Sequence, residues 1–207
     1  MLHKCKVTVL DKKLFPEYQQ SYCAIPDSGK CPCYQVGDEF IFERYGDRDD
    51  YWHCGAGTLA RAGETPADQP KEMPGGFGGI PHAGSVGVPH CSEAWDAISR
   101  YIYTALQGGS IMHGWMRDDR VMIACCNDGT RPVIFKLERL DYRAVYLKED
   151  LSAANHLAIQ NALAALPEVD KVEFKPDFVE VYLEREIAEE ALEQALAAIG
   201  CKIARID

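Results

Sequence analysis

The chain has 207 residues, 47% hydrophobic and 26% charged, with 32 acids against 22 bases and a formal net charge of -10. This composition excludes disordered, collagenous and low-complexity proteins, and no apolar run approaches the roughly 18 residues of a membrane-spanning helix. The acidic surplus argues against non-specific binding to nucleic acid or anionic lipid.

Nine cysteines are the conspicuous feature. The opening residues pass directly into strand-like alternation without a signal peptide, which predicts a cytoplasmic chain. An odd count in a reducing compartment points away from a disulfide framework. Eight of the nine precede residue 127, and only Cys201 lies beyond. Charge divides the chain similarly. Residues 1–140 carry 15 bases and 18 acids, whereas 141–207 carry 7 bases and 14 acids. A boundary is expected near Leu140–Tyr142.

In chain order, Lys4–Leu10 alternates as a strand, and a polar, Pro-containing stretch follows. Glu39–Arg44 is a second strand, introduced by the Gly37-Asp38 turn. Residues 45–90 read as a long polar insertion whose Gly-rich end, Pro74–Pro89, matches no phosphate-binding pattern. Ser92 is expected to cap a helix that carries Trp95, Ile98, Ile102 and Leu106 at helical spacing and stops at Gly108-Gly109. Val121–Cys125 and Pro132–Leu140 form a hairpin around Asn127-Asp128-Gly129.

The remainder reads strand (Arg143–Leu147), helix (Ser152–Leu166), strand (Val169–Lys175), strand (Phe178–Leu183), helix (Ala188–Ile199) and strand (Cys201–Ile206). The fold class expected is therefore α+β. A small mixed sheet or partial barrel with one main helix occupies 1–140, followed by a βαββαβ ferredoxin-like domain over 141–207.

Ile159, Ala162-Leu163, Leu166-Pro167-Glu168-Val169, Val172, Val179, Val181, Leu192, Ala195, Ile199-Gly200 and Ile203 carry a resemblance to the heavy-metal-associated domain. That family implies a ferredoxin-like fold with a C-x-x-C metal site at the start of its first helix. Here those two positions fall on Ser152 and Asn155, which cannot replace soft thiolates. The nearby His156 does not make a site alone. Metal transfer is therefore not carried over, and this half is assigned to assembly or partner contact. Either it or the Gly-rich segment would supply the surface for a homo-oligomer or protein partner.

The first part resembles a family of small, functionally uncharacterised, cysteine-containing prokaryotic proteins. The matching residues are Lys4-Cys5-Lys6-Val7-Thr8-Val9, Cys31-Pro32, Gly37-Asp38-Glu39-Phe40, Cys91-Ser92-Glu93-Ala94-Trp95, Gly108-Gly109 and the run from Met122 to Lys136. This resemblance implies a domain boundary and a grouping of motifs, and no reaction.

The cysteines are read either as ordinary buried core residues or as the seat of chemistry. Cys31 and Cys33 are two apart and point to one side in extended backbone, whereas adjacent Cys125 and Cys126 point to opposite sides. A shared site thus recruits both of the first pair and one of the second. Cys91 stands where a helix N-terminus lowers a thiol pKa. The ligand candidates for zinc, iron or copper are Cys31, Cys33, Cys91 and Cys125 or Cys126, with His90 as a further one, although the spacing is no zinc-finger pattern.

The enzyme alternative is a redox or nucleophilic Cys91 or Cys126, with Arg131 holding a small anionic substrate. The plainer reading of Asp128 and Arg131 is turn chemistry and a mutual ion pair. A third alternative is a non-catalytic interaction protein.

Overall fold

A computed structural model describes residues 1–43, 91–148, 151 and 153–207. The expected 45–90 insertion, with His53, Cys54, His82, His90 and the Asp47–Asp50 cluster, lies outside the described residues. So do Ser152 and the Asn155 side chain. The described chain is α+β, with seven strands and four helices. It divides into two compact units, Lys4–Arg139 and Leu140–Asp207, the latter including Met1–His3.

In the first unit, β1 (Leu2–Lys12) pairs antiparallel with β2 (Glu39–Glu43), with Cys5 opposite Phe42 and Val7 opposite Phe40. The other neighbour of β1 is β4 (Val133–Leu147), against which β3 (Val121–Cys125) also pairs antiparallel. The β1–β2 and β3–β4 ladders are antiparallel, the latter joined by a short turn, and the expected mixed sheet is corrected accordingly. One face of the strands packs on α2 (Ser92–Leu106). Val7, Val9, Phe40, Ile102, Val133, Phe135 and Leu137 form the centre of this core, each at most 2% exposed.

Helix α2 forms because Ala94, Ala97, Ile98, Ile102, Ala105 and Leu106 recur on one face. Its end is fixed by Gly108, whose φ of 74° is the left-handed geometry that favours glycine. The Arg139 guanidinium donates to the carbonyls of Gly108 and Gly109, just beyond the helix, at 2.8 and 2.7 Å. The helix cap differs from expectation. Cys91 is the N-cap, with extended φ and ψ, and Ser92 is already the first helical residue.

Two further differences concern secondary structure. A short helix, α1 (Pro16–Tyr22), occupies part of the stretch read as irregular. Its seven residues are too few to display a periodic apolar face, and the helix is marked only by Pro at its start. The strands expected at Pro132–Leu140 and Arg143–Leu147 are one continuous β4. Neither Gly nor Pro interrupts it, and the buried Asp141 carboxylate lies 2.7 Å from Nδ1 of His3.

In the second unit, the latter part of β4 pairs with β6 (Val179–Leu183) on one side and β7 (Ile203–Ile206) on the other. Outside β6 lies β5 (Val169–Phe174), giving the order β7-β4-β6-β5, with all these ladders antiparallel. Helices α3 (Ala153–Ala164) and α4 (Glu189–Ala197) place Ile159, Leu163, Leu192 and Leu196 in a second core with Val145, Val179 and Val181.

Candidate thiol centre

Three separated segments of the first unit supply the candidate residues. The first follows α1. Buried Gln19 exchanges two hydrogen bonds with the Gly29 backbone, accepting from its N–H and donating to its carbonyl. That clamp fixes the approach to Cys31 and Cys33. Next to them Tyr34 is 2% exposed and packs edge-on against Phe40 and Phe135, with ring centroids 6.0 and 5.4 Å away. Lys12, at the end of β1, donates to the Tyr34 carbonyl at 2.7 Å.

The second segment is the start of α2, where Cys91 is the cap residue. The third is the β3–β4 turn, where the Cys126 sulfur accepts the Val133 N–H at 3.3 Å. Asn127 N–H donates to the Glu93 carbonyl at 3.0 Å, so the turn is bonded directly to the first turn of α2. Asp128 organises this turn. It accepts from the Thr130 N–H and hydroxyl, both at 2.9 Å, and from the Arg131 N–H at 3.2 Å and Nε at 3.1 Å. Lys13 and Phe15 N–H groups donate to the Pro132 and Thr130 carbonyls at 2.9 Å, which brings the end of β1 beside the same turn.

These bonds gather Cys31, Cys33, Cys91 and Cys126. The Cys33 thiol is in hydrogen-bonding range of both Cys31 and Cys91, and the charges of Cys31 and Cys91 are felt at Cys126. Cys125, adjacent in sequence, is exposed. Alternation along β3 thus separates the pair as the sequence predicts, with Cys126 as the inward member. Among the described residues no group of three or more His, Cys, Asp or Glu side chains is placed to hold a metal ion.

The thiols are electrostatically unequal. Cys33 donates to Cys31 and lowers its pKa to about 6 against the opposing effect of burial, helped by the Cys33 N–H and the charges of Lys12 and Arg131. Cys91 also falls to about 6, chiefly through the Cys33 thiol, again against burial, with the Ala94 and Glu93 N–H groups contributing. No side-chain capping bond forms at Cys91, so the first helical turn adds only a smaller contribution beside the Cys33 thiol. Cys33 is pushed up by hydrogen bonding with Cys31 and Cys91, then by burial and the charges of those two neighbours. Burial raises Cys126, and burial with the surrounding cysteine charges raises Tyr34.

The remaining candidates fall elsewhere. Arg131 pairs with Asp128, as the turn reading expects, and its charge also reaches Cys31. Cys5 is fully buried, and its pKa is pushed up to about 12 by burial. Cys201 is buried in the second core. His113 is exposed, with Nδ1 2.6 Å from Asp119, and Trp115 is 78% exposed. Trp95 packs at the first core against Phe42. Sequence reasoning missed Lys12 and Tyr34. The closing end of a strand and an aromatic residue in a coil carry no motif, and only the Cys31-x-Cys33-Tyr34 adjacency hinted at the second.

Comparison with protein-family models finds no match, and neither curated proteins nor solved structures yield one. No helix among the described residues is long and apolar enough to cross a membrane.

Proposed function

We propose that the first unit carries a thiolate centre for a soft or borderline transition metal, with Cys31, Cys33, Cys91 and Cys126 as its ligands. The observation that carries this reading is the meeting of four cysteines from three separated segments. The β3–β4 turn and the N-terminus of α2 are themselves bonded to each other. Hydrogen bonding with Cys33 lowers the pKa of Cys31 and of Cys91, which favours metal uptake because the ligand must be the thiolate. The Val133 N–H donates to the Cys126 sulfur, the kind of outer hydrogen bonding that tunes thiolate metal sites. Zn(II), Fe and Cu(I) all suit such a sulfur set.

Anaerobic purification followed by elemental analysis tests this. One equivalent of metal is expected, reduced at least tenfold in Cys31→Ala and Cys126→Ala and unchanged in Cys125→Ala. Co(II) added to the metal-free chain should give sulfur-to-metal charge-transfer absorption with the same dependence. Metal-free protein that also fails to take up Co(II) overturns the reading.

One observation favours a second reading, in which Cys91 is a nucleophile. Its thiol ionises at about 6 at the start of a helix, whereas burial keeps Cys126 protonated. Arg131 would then hold an anionic substrate. A single rapidly modified cysteine in metal-free protein, with no metal uptake, selects this alternative.

For the second unit we infer a ferredoxin-like arrangement, supported by the strand order β7-β4-β6-β5 with helices after β4 and β6. Its one cysteine is core, so it adds no sulfur to the centre, and assembly or partner contact is the role assigned to it. Sedimentation of the whole chain tests that assignment, since a strict monomer that captures no partner overturns it.

A further inference from the structure

The loop that joins α2 to β3 is tied down at both ends. Buried Ile111 anchors its start in the first core, and the Ile111 N–H donates to the Asp119 carbonyl at 2.8 Å, closing the base. The Arg139 N–H donates to the Arg120 carbonyl at 2.8 Å and fixes the exit. Inside the loop, the Trp115 N–H donates to the Met112 carbonyl at 3.2 Å, which makes Met112–Trp115 a β-turn. Gly114 holds the third position of that turn with φ 74°, a left-handed value that glycine adopts without strain. His113 is therefore at the corner, and Met112 and Met116 flank the same reversal of the chain.

The two acids of the loop are already engaged. Arg120 donates to both carboxylate oxygens of Asp118, with Nε at 3.2 Å and Nη2 at 2.9 Å. Asp119 lies 2.6 Å from Nδ1 of His113. A carboxylate only accepts, so Nδ1 carries the proton and the neutral ring keeps its lone pair on Nε2. A carboxylate behind an imidazole is also the outer partner that orients a histidine metal ligand. The His113 side chain is 84% exposed, so an ion reaches it from solvent.

We propose that this loop is a second metal site, independent of the thiol centre, in which the Met112 and Met116 thioethers and the His113 imidazole hold Cu(I). Thioether sulfur selects this soft ion and imidazole suits it, whereas hard divalent cations require oxygen donors that the loop has committed elsewhere. Zn(II) draws on thiolate, imidazole and carboxylate, not thioether. Neutral thioethers attract a cation less than thiolates do, so this site fills after the thiol centre and exchanges its ion more readily. Cys91 caps the start of α2 and the loop follows its end, so the 15 residues of that helix put about 22 Å between the two sites.

The test uses the full chain, reduced and anaerobic, with isotope-labelled methionine methyl groups followed by NMR. Ag(I) serves as the redox-stable probe for Cu(I). The methyl signals of Met112 and Met116, assigned through Met112→Leu and Met116→Leu, should shift together once the thiols are filled, while that of Met122 stays in place. His113→Ala should weaken this response at least tenfold, and Zn(II) should leave both signals unmoved.

A Cys31→Ala, Cys126→Ala double variant separates this site from the thiol centre. It should lose uptake at the thiols and keep the Met112 and Met116 response, which stands whether or not the thiols of the wild-type chain hold a metal. No shift at Met112 or Met116 with Ag(I) in excess over all nine thiols overturns the inference. So does a shift that survives His113→Ala, one that Zn(II) reproduces, or one that disappears in the folded double variant.

Discussion

At the scale of single residues, the centre is set by which thiols are ionised. Cys91 has its pKa depressed to about 6 chiefly by the Cys33 thiol, so its thiolate fraction falls only as pH drops through that value. Alkylation of metal-free protein by iodoacetamide should rise with pH to a midpoint near 6 at Cys91, instead of the roughly 8.5 of a free cysteine. Peptide mapping across pH 5–9 reads this, and a midpoint above 8 sinks it. Asp128 makes a different kind of contribution. Burial opposes its ionisation, but bonds from Thr130 and Arg131 outweigh that and lower its pKa. Because the folded-state value is the lower one, its stabilisation is present above the unfolded carboxyl pKa and is lost as pH falls through the folded one. Asp128→Ala should cost about 1–2 kcal/mol at neutral pH, read by urea unfolding, with the difference from wild type shrinking in acid. Much of this was legible in the sequence. Alternation alone separated Cys125 from Cys126, and Asn-Asp-Gly announced the turn. Lys12 and Tyr34 were not legible, because their roles come from long-range packing and not from any local pattern.

At the scale of elements, α2 and the β3–β4 turn position the chemistry, and their strength is local. Ile102 is fully buried in the first core, so Ile102→Ala should cost about 2–5 kcal/mol through lost contact and the cavity left behind. Arg139 closes the other end of the helix on two carbonyls, and Arg139→Ala should cost about 1–3 kcal/mol. Since α2 carries Cys91, both substitutions should also weaken metal uptake without touching a sulfur. Chemical denaturation alongside Co(II) titration reads both effects, and unchanged affinity in a destabilised Arg139→Ala would show that the helix end does not position the thiol. The main helices were readable because their apolar residues recur every three or four positions over at least two turns. The short α1 escaped because seven residues do not complete that pattern. Continuity of β4 escaped for the opposite reason. A charged residue at 141 resembles a break, and the long-range His3 contact helps to accommodate Asp141.

For the whole molecule, the uneven placement of cysteine and charge acquires an energetic meaning. The first core contains or adjoins all four proposed ligands, while the second core contains Cys201 alone among cysteines. A metal held by the first unit stabilises only what binds it, by about 2.7 kcal/mol at free metal one hundred times the dissociation constant. Chelation should therefore loosen Cys31–Tyr34, the first turn of α2 and the Cys126–Val133 turn. The backbone bonds of β5 and β6, built on Val172, Val179 and Val181, have no share in that linkage and should keep their protection. Hydrogen exchange of the full chain, with and without a chelator, measures both regions at once. Faster exchange confined to the three cysteine segments is the expected result. A uniform loss across β5 and β6 would mean that the metal acts on global stability, and no change anywhere would mean that the four sulfurs hold nothing whose removal the chain can sense.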